Sequence, residues 1–169
     1  MRGLSKGVPQ REGVVMKIAN AVALISMVLV SLSTPTNAQQ ADPTLVSTFD
    51  TSDWALGVAV SGNYAYVADH RSGLNIIDIS DPSAVANTPS SPSLVGFYDT
   101  GGYAYDVAVR GNYAYVADYE SGLQIIDISD PSSPSLEGTY DTSGKARGVA
   151  LSGNYVYVAD GASGLQIID

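Results

Sequence analysis

Cysteine is absent from this chain of 169 residues, and histidine occurs once, at His70. Without cysteine the chain forms no disulfide, and neither a Cys/His zinc site nor a Cys-His nucleophile is available within it. No serine stands in a pattern that pairs it with His70 and a carboxylate. The sequence therefore predicts no catalytic residues and no metal ligands, and it favours an ordinary loop role for His70. Cohesion must come from packing.

Long apolar runs are scarce as well, because the sequence has a single one, from Ile18 to Leu32. Its fifteen residues are fewer than the roughly 20 that a membrane-spanning helix needs. Lys17 precedes the run, and Thr36 and Ala38 occupy the −3 and −1 positions of a small-residue cleavage site. This pattern is typical of a secretory signal peptide.

The N-terminal pattern divides the chain into three predicted parts. Residues 1–38 are expected to be the signal peptide, with Met16 as an alternative start, residues 39–44 a short linker, and residues 45–169 the folded region. A signal peptide directs export, so the predicted localisation is the periplasm, the cell surface or the extracellular space. A retained N-terminal anchor helix is the alternative.

Basic residues are few: eight Lys and Arg oppose 17 Asp and Glu, which gives a formal net charge of −9. Cleavage after Ala38 leaves four basic and 16 acidic residues, and hence a formal charge of −12. Such a charge disfavours nucleic acid and anionic membrane surfaces as partners. No second apolar run follows, so no membrane span is predicted in the mature chain.

Repetition is the feature that the sequence has in abundance. The string GNYAYVAD occurs at residues 62–69 and again at 111–118, and GNYVYVAD occurs at 153–160. The offsets are 49 and 42 residues, and seven additional residues in the Pro/Ser-rich connection between Asp78 and Leu94 explain the difference. A period of about 42 residues is typical of four-stranded propeller blades.

Each repeat divides into four short segments that are rich in β-branched and aromatic residues and bounded by turn-forming residues. In the middle repeat these are residues 103–111, 112–118, 122–129 and 135–142. No segment after the signal peptide has apolar residues at helical spacing. The predicted fold class is all-β: a β-propeller with four antiparallel strands per blade and about three blades present, as part of a larger propeller or of an oligomeric ring.

Both faces of the predicted strands are apolar, since Tyr113 and Tyr115 alternate with Ala114 and Val116. A sheet of this kind must be covered on both faces, as happens when blades stack around an axis. The repeated Gly-Asn pairs predict tight turns between first and second strands, and the repeated Asp-Pro pairs predict the end of the third strand.

The strings LNIID (Leu74 to Asp78) and LQIID (residues 123–127 and 165–169) each follow YVAD and a turn ending in Ser-Gly. With these features the chain resembles the LVIVD-repeat family of exported bacterial and archaeal proteins, and more loosely the NHL and YVTN propeller repeats. The resemblance covers about residues 45–169 and departs from the family in having Ile in place of Val. It implies a β-propeller and a cell-surface setting, and it brings no catalytic residues.

Aspartates recur at fixed places in the repeats. Asp69, Asp118 and Asp160 end the second strand, Asp78, Asp127 and Asp169 lie in the third, and Asp81 and Asp130 each precede a proline. Turn capping by these side chains is the preferred interpretation, and no cofactor is predicted; calcium held by stacked carboxylates is the alternative. Asp106 occurs once, where the other repeats have Gly57 and Gly148, and is the nearest approach to a catalytic carboxylate.

Variation between the repeats marks a candidate binding surface. The residues before the first strand and after the second strand differ while their neighbours stay fixed, and both positions are expected on one rim of the propeller. Aromatic and charged side chains there suit a protein or carbohydrate ligand, whereas drift of loop sequences is the alternative explanation. The predicted binding residues are Trp54, His70, Arg71, Tyr103, Tyr105, Tyr119, Glu120, Lys145 and Arg147.

The predicted function is an exported, non-catalytic β-propeller module for protein or glycan binding, or scaffolding, at the cell surface or in the periplasm. The alternative is a fragment of a propeller enzyme, a hydrolase or lyase, whose active-site residues lie outside this chain. Propellers use about 4–8 blades, and Leu45 to Thr51 has the sequence of an outer strand. We therefore expect either the front of a longer propeller, incomplete at its C-terminus, or half of a two-chain ring, with self-association through open end blades.

Overall fold

The computed structural model describes residues 45–81 and 92–169. The predicted signal peptide and linker, and the seven additional residues of the first repeat, lie outside the described residues. Within the described ranges, eleven strands form three antiparallel sheets that follow one another along the chain. The same ranges contain no helix with the length and apolar content that a membrane crossing requires.

Each repeat forms one sheet, with its strands hydrogen-bonded in chain order. The first sheet contains β1 (Gly57–Ser61), β2 (Tyr64–Ala68), β3 (Leu74–Asp78) and β4 (Ser93–Tyr98). The second contains β5 (Asp106–Arg110), β6 (Tyr113–Ala117), β7 (Leu123–Asp127) and β8 (Ser135–Tyr140). The third contains β9 (Gly148–Ser152), β10 (Tyr155–Ala159) and β11 (Leu165–Ile168), with a 3-10 turn at Gly161–Ser163. The predicted all-β fold with blade-like sheets is confirmed.

The hairpins between first and second strands turn on the repeated Gly-Asn pair. Gly62, Gly111 and Gly153 have φ values of +58°, +57° and +54°. A two-residue turn with positive φ at its first central position is a type II′ turn, which matches the twist of the flanking strands and favours glycine. The predicted turns are therefore confirmed.

The first and second sheets pack face to face through apolar side chains. Leu74 and Ile76 from β3 and Val116 and Ile126 from the second sheet are fully buried in this core. Complete burial of each such side chain contributes about 1.5–3 kcal/mol. The first strands also lie side by side, since β1 contacts β5 and β5 contacts β9, as expected for the strands nearest to a propeller axis.

The second sheet is covered on its other face by the third sheet. Leu123 and Val158 are fully buried between these two sheets, and Tyr115 packs against the same cluster. Ala114 faces the first sheet instead. The two faces of β6 therefore contact different neighbours, which confirms the predicted stacking of sheets with two apolar faces.

The structure differs from the prediction at the start of the array, because Leu45 to Thr51, predicted as an outer strand, forms no strand. The third sheet has three strands in the order β11-β10-β9, as expected from a repeat that stops in its third strand. A strand exists only with a hydrogen-bonded neighbour, and Leu45 to Thr51 pairs with none of the three sheets. The three sheets do not close into a ring.

Candidate functional site

Short backbone bridges between neighbouring repeats position the predicted rim. The His70 amide donates to the Ala104 carbonyl at 3.1 Å, and the Ala104 amide donates to the His70 carbonyl at 2.9 Å. Tyr119 and Ala146 exchange the same pair of hydrogen bonds at 2.9 and 3.0 Å. Both alanines are fully buried. Because successive residues of an extended segment alternate in direction, the residues on either side of each alanine are directed toward the rim.

Aromatic rings from the first two repeats form a continuous array on this rim. Trp54 stacks on His70 with ring centroids 5.4 Å apart, and His70 stacks on Tyr103 at 4.7 Å. Tyr103 meets Tyr119 edge to face at 5.9 Å, and Tyr119 stacks on Tyr105 at 5.2 Å. These separations lie in the range in which aromatic pairs attract one another.

Basic side chains of the third repeat cover the Tyr119 end of the array. Lys145 Nζ lies 4.6 Å from the centre of the Tyr119 ring and donates to its hydroxyl at 2.8 Å. The Arg147 guanidinium is 5.5 Å from the Tyr119 ring and 5.9 Å from the Tyr105 ring. Lys145 also pairs with Glu120 at 3.5 Å. The hydrogen bond from Lys145, followed by the one from Arg147, lowers the pKa of Tyr119, and the Tyr119 contact raises the pKa of Lys145.

Asp53 contacts the His70 end of the array and was not among the predicted binding residues. Its carboxylate lies 3.2 Å from His70 Nδ1 and accepts a hydrogen bond from the Arg71 amide at 3.1 Å. The Arg71 guanidinium is 5.7 Å from the centre of the Tyr103 ring. A sequence signal was present, because the other two repeats have glycine where the first has Asp53.

All nine predicted binding residues therefore lie in one surface, which we call the rim. The structure brings together residues of three repeats through ring stacking, cation–π contacts and one ion pair. Their role in binding stays a prediction.

Two rim residues adopt a left-handed backbone conformation. His70 has a φ of 46° and Tyr119 a φ of 51°, whereas the third repeat has Gly161 there with a φ of 56°. A bulky residue at positive φ is strained by about 1–2 kcal/mol. Strained backbone of this kind is found preferentially at functional sites.

The strain at Tyr119 gives the first testable prediction. Tyr119→Gly and Tyr119→Ala remove the same ring, yet we expect the glycine variant to be about 1 kcal/mol more stable because glycine adopts positive φ freely. Urea unfolding followed by circular dichroism measures the difference. At the exposed strand residue Tyr113 the order should reverse, with alanine the more stable replacement. An alanine variant of Tyr119 as stable as the glycine variant would contradict the strain.

A fully buried carboxylate ends each second strand, at Asp69, Asp118 and Asp160. The Thr100 hydroxyl donates to Asp118 Oδ1 at 2.7 Å, and the Thr142 hydroxyl donates to Asp160 Oδ1 at 2.7 Å. Each threonine follows the outer strand of the preceding sheet. The predicted turn capping is therefore wrong for these two aspartates, whose carboxylates link successive sheets and accept from a hydroxyl.

The first repeat satisfies its buried carboxylate differently. Asp69 Oδ2 accepts from Asn75 Nδ2 at 2.9 Å, from the Asp53 amide at 3.2 Å and from the Ser52 hydroxyl at 3.4 Å. Thr51 has the sequence position of Thr100, but its hydroxyl donates to the Asp53 carbonyl. The donors to Asp69 are therefore Ser52 and Asp53, which follow Thr51, together with Asn75.

Burial raises the pKa of Asp118 to about 6, although hydrogen bonds from Thr100, Ser121 and Gly102 lower it. Among the described residues, its Oδ2 atom has no hydrogen bond of good geometry. A carboxyl whose folded pKa lies above its unfolded value stabilises the fold below about pH 4, and this contribution is lost as the pH rises through about 6. Asp118 therefore favours the folded state most in acid.

Turn capping does hold for the aspartates of the third strands and the connection that follows. Asp78 Oδ1 accepts from the Ser80 amide and Asp127 Oδ1 from the Ser129 amide, each at 2.8 Å. Asp130 Oδ1 accepts from the Ser132 amide at 3.0 Å. These amide bonds lower the pKa of Asp78 and Asp127, and the pKa of Asp130 is lowered first by the Ser132 hydroxyl, which donates at 2.7 Å, and then by the Ser132 amide. In the part of the chain that the structure describes, no three His, Cys, Asp or Glu side chains are grouped so that they could hold a metal ion.

Asp106, the nearest approach to a catalytic carboxylate in the sequence, makes backbone contacts. Its Oδ2 accepts from the Val149 amide at 3.0 Å, and its Oδ1 accepts from the Val107 amide at 2.9 Å. The first of these bonds joins the first strands of two successive sheets. The carboxylate therefore has a structural role.

A cavity of about 310 Å³ opens beside the rim on the first sheet. Its lining combines hydroxyl, amide and apolar groups with one guanidinium and one carboxylate. The lining residues are Ser52, Arg71, Ser72, Asn75, Leu94, Phe97 and Asp99. Arg71 belongs both to this cavity and to the rim.

Successive antiparallel sheets, stacked by apolar faces and joined by Thr-Asp hydrogen bonds, define a blade-forming all-β repeat protein. The LVIVD repeat matches residues 54–100, 101–142 and 143–169. These three consecutive matches cover more than half of the sequence, and the chain belongs to the LVIVD-repeat family. The resemblance seen in the sequence is thereby confirmed.

Among solved structures, the chain is similar to the computationally designed Ika8 protein, with a TM-score of 0.54 and 16% identity. The alignment covers 74% of this chain and 36% of Ika8, so the chain spans about a third of that protein's length. The computationally designed Ika4 protein aligns with a TM-score of 0.48 and 11% identity, over 76% of this chain and 98% of Ika4. At such identities the Ika8 alignment shows the fold alone. No curated protein sequence matches this chain.

Proposed function

We propose that this chain is an exported, non-catalytic repeat module whose rim binds a protein or a glycan at the cell surface or in the periplasm. The proposal rests on one observation. The nine residues that vary between the repeats contact one another in a single surface of aromatic and charged side chains. Export is supported by the basic lead, apolar run and cleavage pattern of residues 1–38.

Three properties of the rim support binding over mere loop variation. Trp54 is 69% exposed and Tyr103 36% exposed, so large rings face solvent. Tryptophan, tyrosine and arginine are the residue types that dominate binding hot spots. The array is also preorganised by stacking and by two-bond backbone bridges, which lowers the entropy that binding must overcome.

The proposal predicts that Trp54→Ala and Tyr103→Ala weaken ligand binding while the β-sheet circular dichroism is retained. A glycan array and a pull-down from cell-surface extract identify the ligand class, and each variant is then compared with the unmodified chain. Loss of a central aromatic hot spot should cost about 2 kcal/mol, or about thirtyfold in affinity.

The control is Tyr113→Ala, which removes an exposed tyrosine at the start of β6, next to the Gly-Asn turn. It should bind as well as the unmodified chain. Equal loss in all three variants, or loss of the β-sheet signal in the rim variants, would count against the rim as the binding surface.

Self-association through the end sheets is part of the same proposal. On the third sheet Leu165 and Ile167 are 62% and 60% exposed, and on β1 Val58 and Val60 are each 64% exposed. Equivalent positions between the sheets are packed, for example Leu123 and Val107. Apolar faces of this kind tend to associate, and the edges of open sheets add hydrogen-bonding groups.

We expect residues 39–169 to associate in a concentration-dependent manner in size-exclusion chromatography with light scattering. Ile167→Lys and Val58→Lys should reduce the association, because each places a charge on an exposed apolar face. Leu136→Lys is the control, since Leu136 lies on the outer strand of the doubly covered sheet. A stable monomer at all concentrations would contradict the prediction.

A further inference from the structure

Basic side chains are concentrated on the rim of an otherwise acidic chain. Residues 39–169 contain four Lys and Arg residues, of which three, Arg71, Lys145 and Arg147, belong to the rim. The fourth, Arg110, ends β5 next to the Gly111 turn, at the opposite end of the sheet from the Tyr119 loop. The cations are therefore gathered at one place among 16 acidic residues.

The guanidinium groups of the two rim arginines form no ion pair among residues 45–81 and 92–169. Lys145 pairs with Glu120, and the other ion pair of these ranges joins His70 and Asp53. Arg71 and Arg147 are exposed and lie against tyrosine rings. Contact with a ring restrains a guanidinium, and the N–H donors that it does not use there, apart from the hydrogen bond of Arg147 to Tyr119, can bind a second partner.

We propose that the rim binds a carboxylate-bearing glycan, of the uronic acid type, and that Arg71 and Arg147 bind its carboxylates. This inference rests on the proposed function and names its ligand class. Guanidinium and carboxylate form two parallel hydrogen bonds, which gives both strength and orientation.

The cavity beside Arg71 favours a sugar over an acidic peptide. Ser52 and Asn75 in its lining donate to Asp69, but the Ser72 hydroxyl, which accepts from Ser52 at 3.0 Å, and the Asp99 carboxylate match the acceptor and donor of sugar hydroxyl groups. Phe97, 62% exposed, offers a ring face to the C–H groups of a sugar. A peptide that binds by strand addition needs free backbone groups at a sheet edge. On the rim the backbone groups of His70, Ala104, Tyr119 and Ala146 are engaged in the bridges between repeats, which disfavours that mode.

The net charge of the chain limits the size of ligand that the rim binds well. A formal charge of −12 over residues 39–169 repels long anionic polymers such as nucleic acid. At physiological salt this repulsion is screened beyond about 8 Å. A short acidic oligosaccharide that contacts the rim therefore experiences mainly the local arginines.

Calorimetric titration of the full chain with the galacturonate trisaccharide tests the proposal. Binding is expected, with affinity at least about tenfold lower for the methyl-esterified trisaccharide, which lacks the charge. Arg147→Gln and Arg71→Gln should each weaken binding at least about tenfold. Arg110→Gln is the matched control, since it makes the same substitution and the same charge change away from the rim, and it should leave affinity within about twofold.

Absence of galacturonate binding, equal binding of the methyl ester, or an equal effect of Arg110→Gln would overturn the proposal. Tighter binding of a triglutamate peptide would overturn the choice of a glycan. The proposed function is tested separately. If the rim binds a neutral ligand and Tyr103→Ala abolishes that binding, the rim remains a binding surface and only its preference for carboxylates is disproved.

Discussion

Replacement of Gly122 by alanine is expected to lower the free energy of unfolding by about 3 kcal/mol. Gly122 has a φ of +70°, where an L-residue is strained by about 1–2 kcal/mol. A methyl group there would also overlap the Tyr140 carbonyl and lie 2.8 Å from the Thr142 amide nitrogen. Both are backbone atoms at the end of the adjacent outer strand, so the overlap is relieved only if that strand moves. This movement adds about 1–3 kcal/mol to the cost of the substitution.

Gly164→Ala is the matched control for this prediction. Gly164 occupies the same place in the third repeat with a φ of +77°, but a methyl group on it meets nothing within 4 Å. Its replacement should cost the backbone strain but not the overlap with an outer strand, so we expect a loss about 1–3 kcal/mol smaller than that of Gly122→Ala. Urea unfolding followed by far-ultraviolet circular dichroism measures both variants. Equal losses would mean that the contact with the outer strand does not restrict the Ser-Gly turn.

Thr142→Val should lower the free energy of unfolding by about 2 kcal/mol. Valine keeps the shape of threonine, but it removes the hydroxyl that donates to the fully buried Asp160 carboxylate at 2.7 Å. A buried acceptor that loses its donor costs about 1–3 kcal/mol. The outer strand of the second sheet would also lose a link to the third.

The exposed Thr139 on the same strand supplies the control. Thr139→Val makes the identical chemical change without a buried partner, and it should alter stability by less than about 0.5 kcal/mol. The same unfolding measurement applies to both variants. A Thr139 variant as destabilised as the Thr142 variant would show that loss of the hydroxyl, and not of the buried bond, is responsible.

The repeated strings made much of the fold predictable. Once GNYAYVAD recurs with both strand faces apolar, four-stranded units that cover one another follow from the alternation of side chains in a strand. The surface grouping of the rim was predictable for the same reason: residues at equivalent positions in stacked repeats are neighbours. Trp54, Tyr103 and Lys145 are one such set.

Other features depend on geometry that no single repeat contains. The Thr100–Asp118 hydrogen bond joins two sheets across 18 residues. Its donor, Thr100, belongs to an Asp-Thr pair that recurs in each repeat and matches no functional motif. The left-handed conformation of Tyr119 was hidden because tyrosine rarely adopts it. Leu45 to Thr51 has the sequence of an outer strand, but its sequence does not show whether a sheet edge is available for it to pair with.

The covered and uncovered faces of the three sheets also set the order in which the array opens. Within residues 45–81 and 92–169 the second sheet is packed on both faces, whereas the first and third are each packed on one. The terminal sheets are therefore expected to detach at a lower free energy than the central one. Because the main contacts between the described sheets join successive repeats, loosening of the third sheet is expected to release Lys145 and Arg147 while Trp54 and His70 stay in place. The basic and aromatic ends of the rim are therefore separable by partial unfolding.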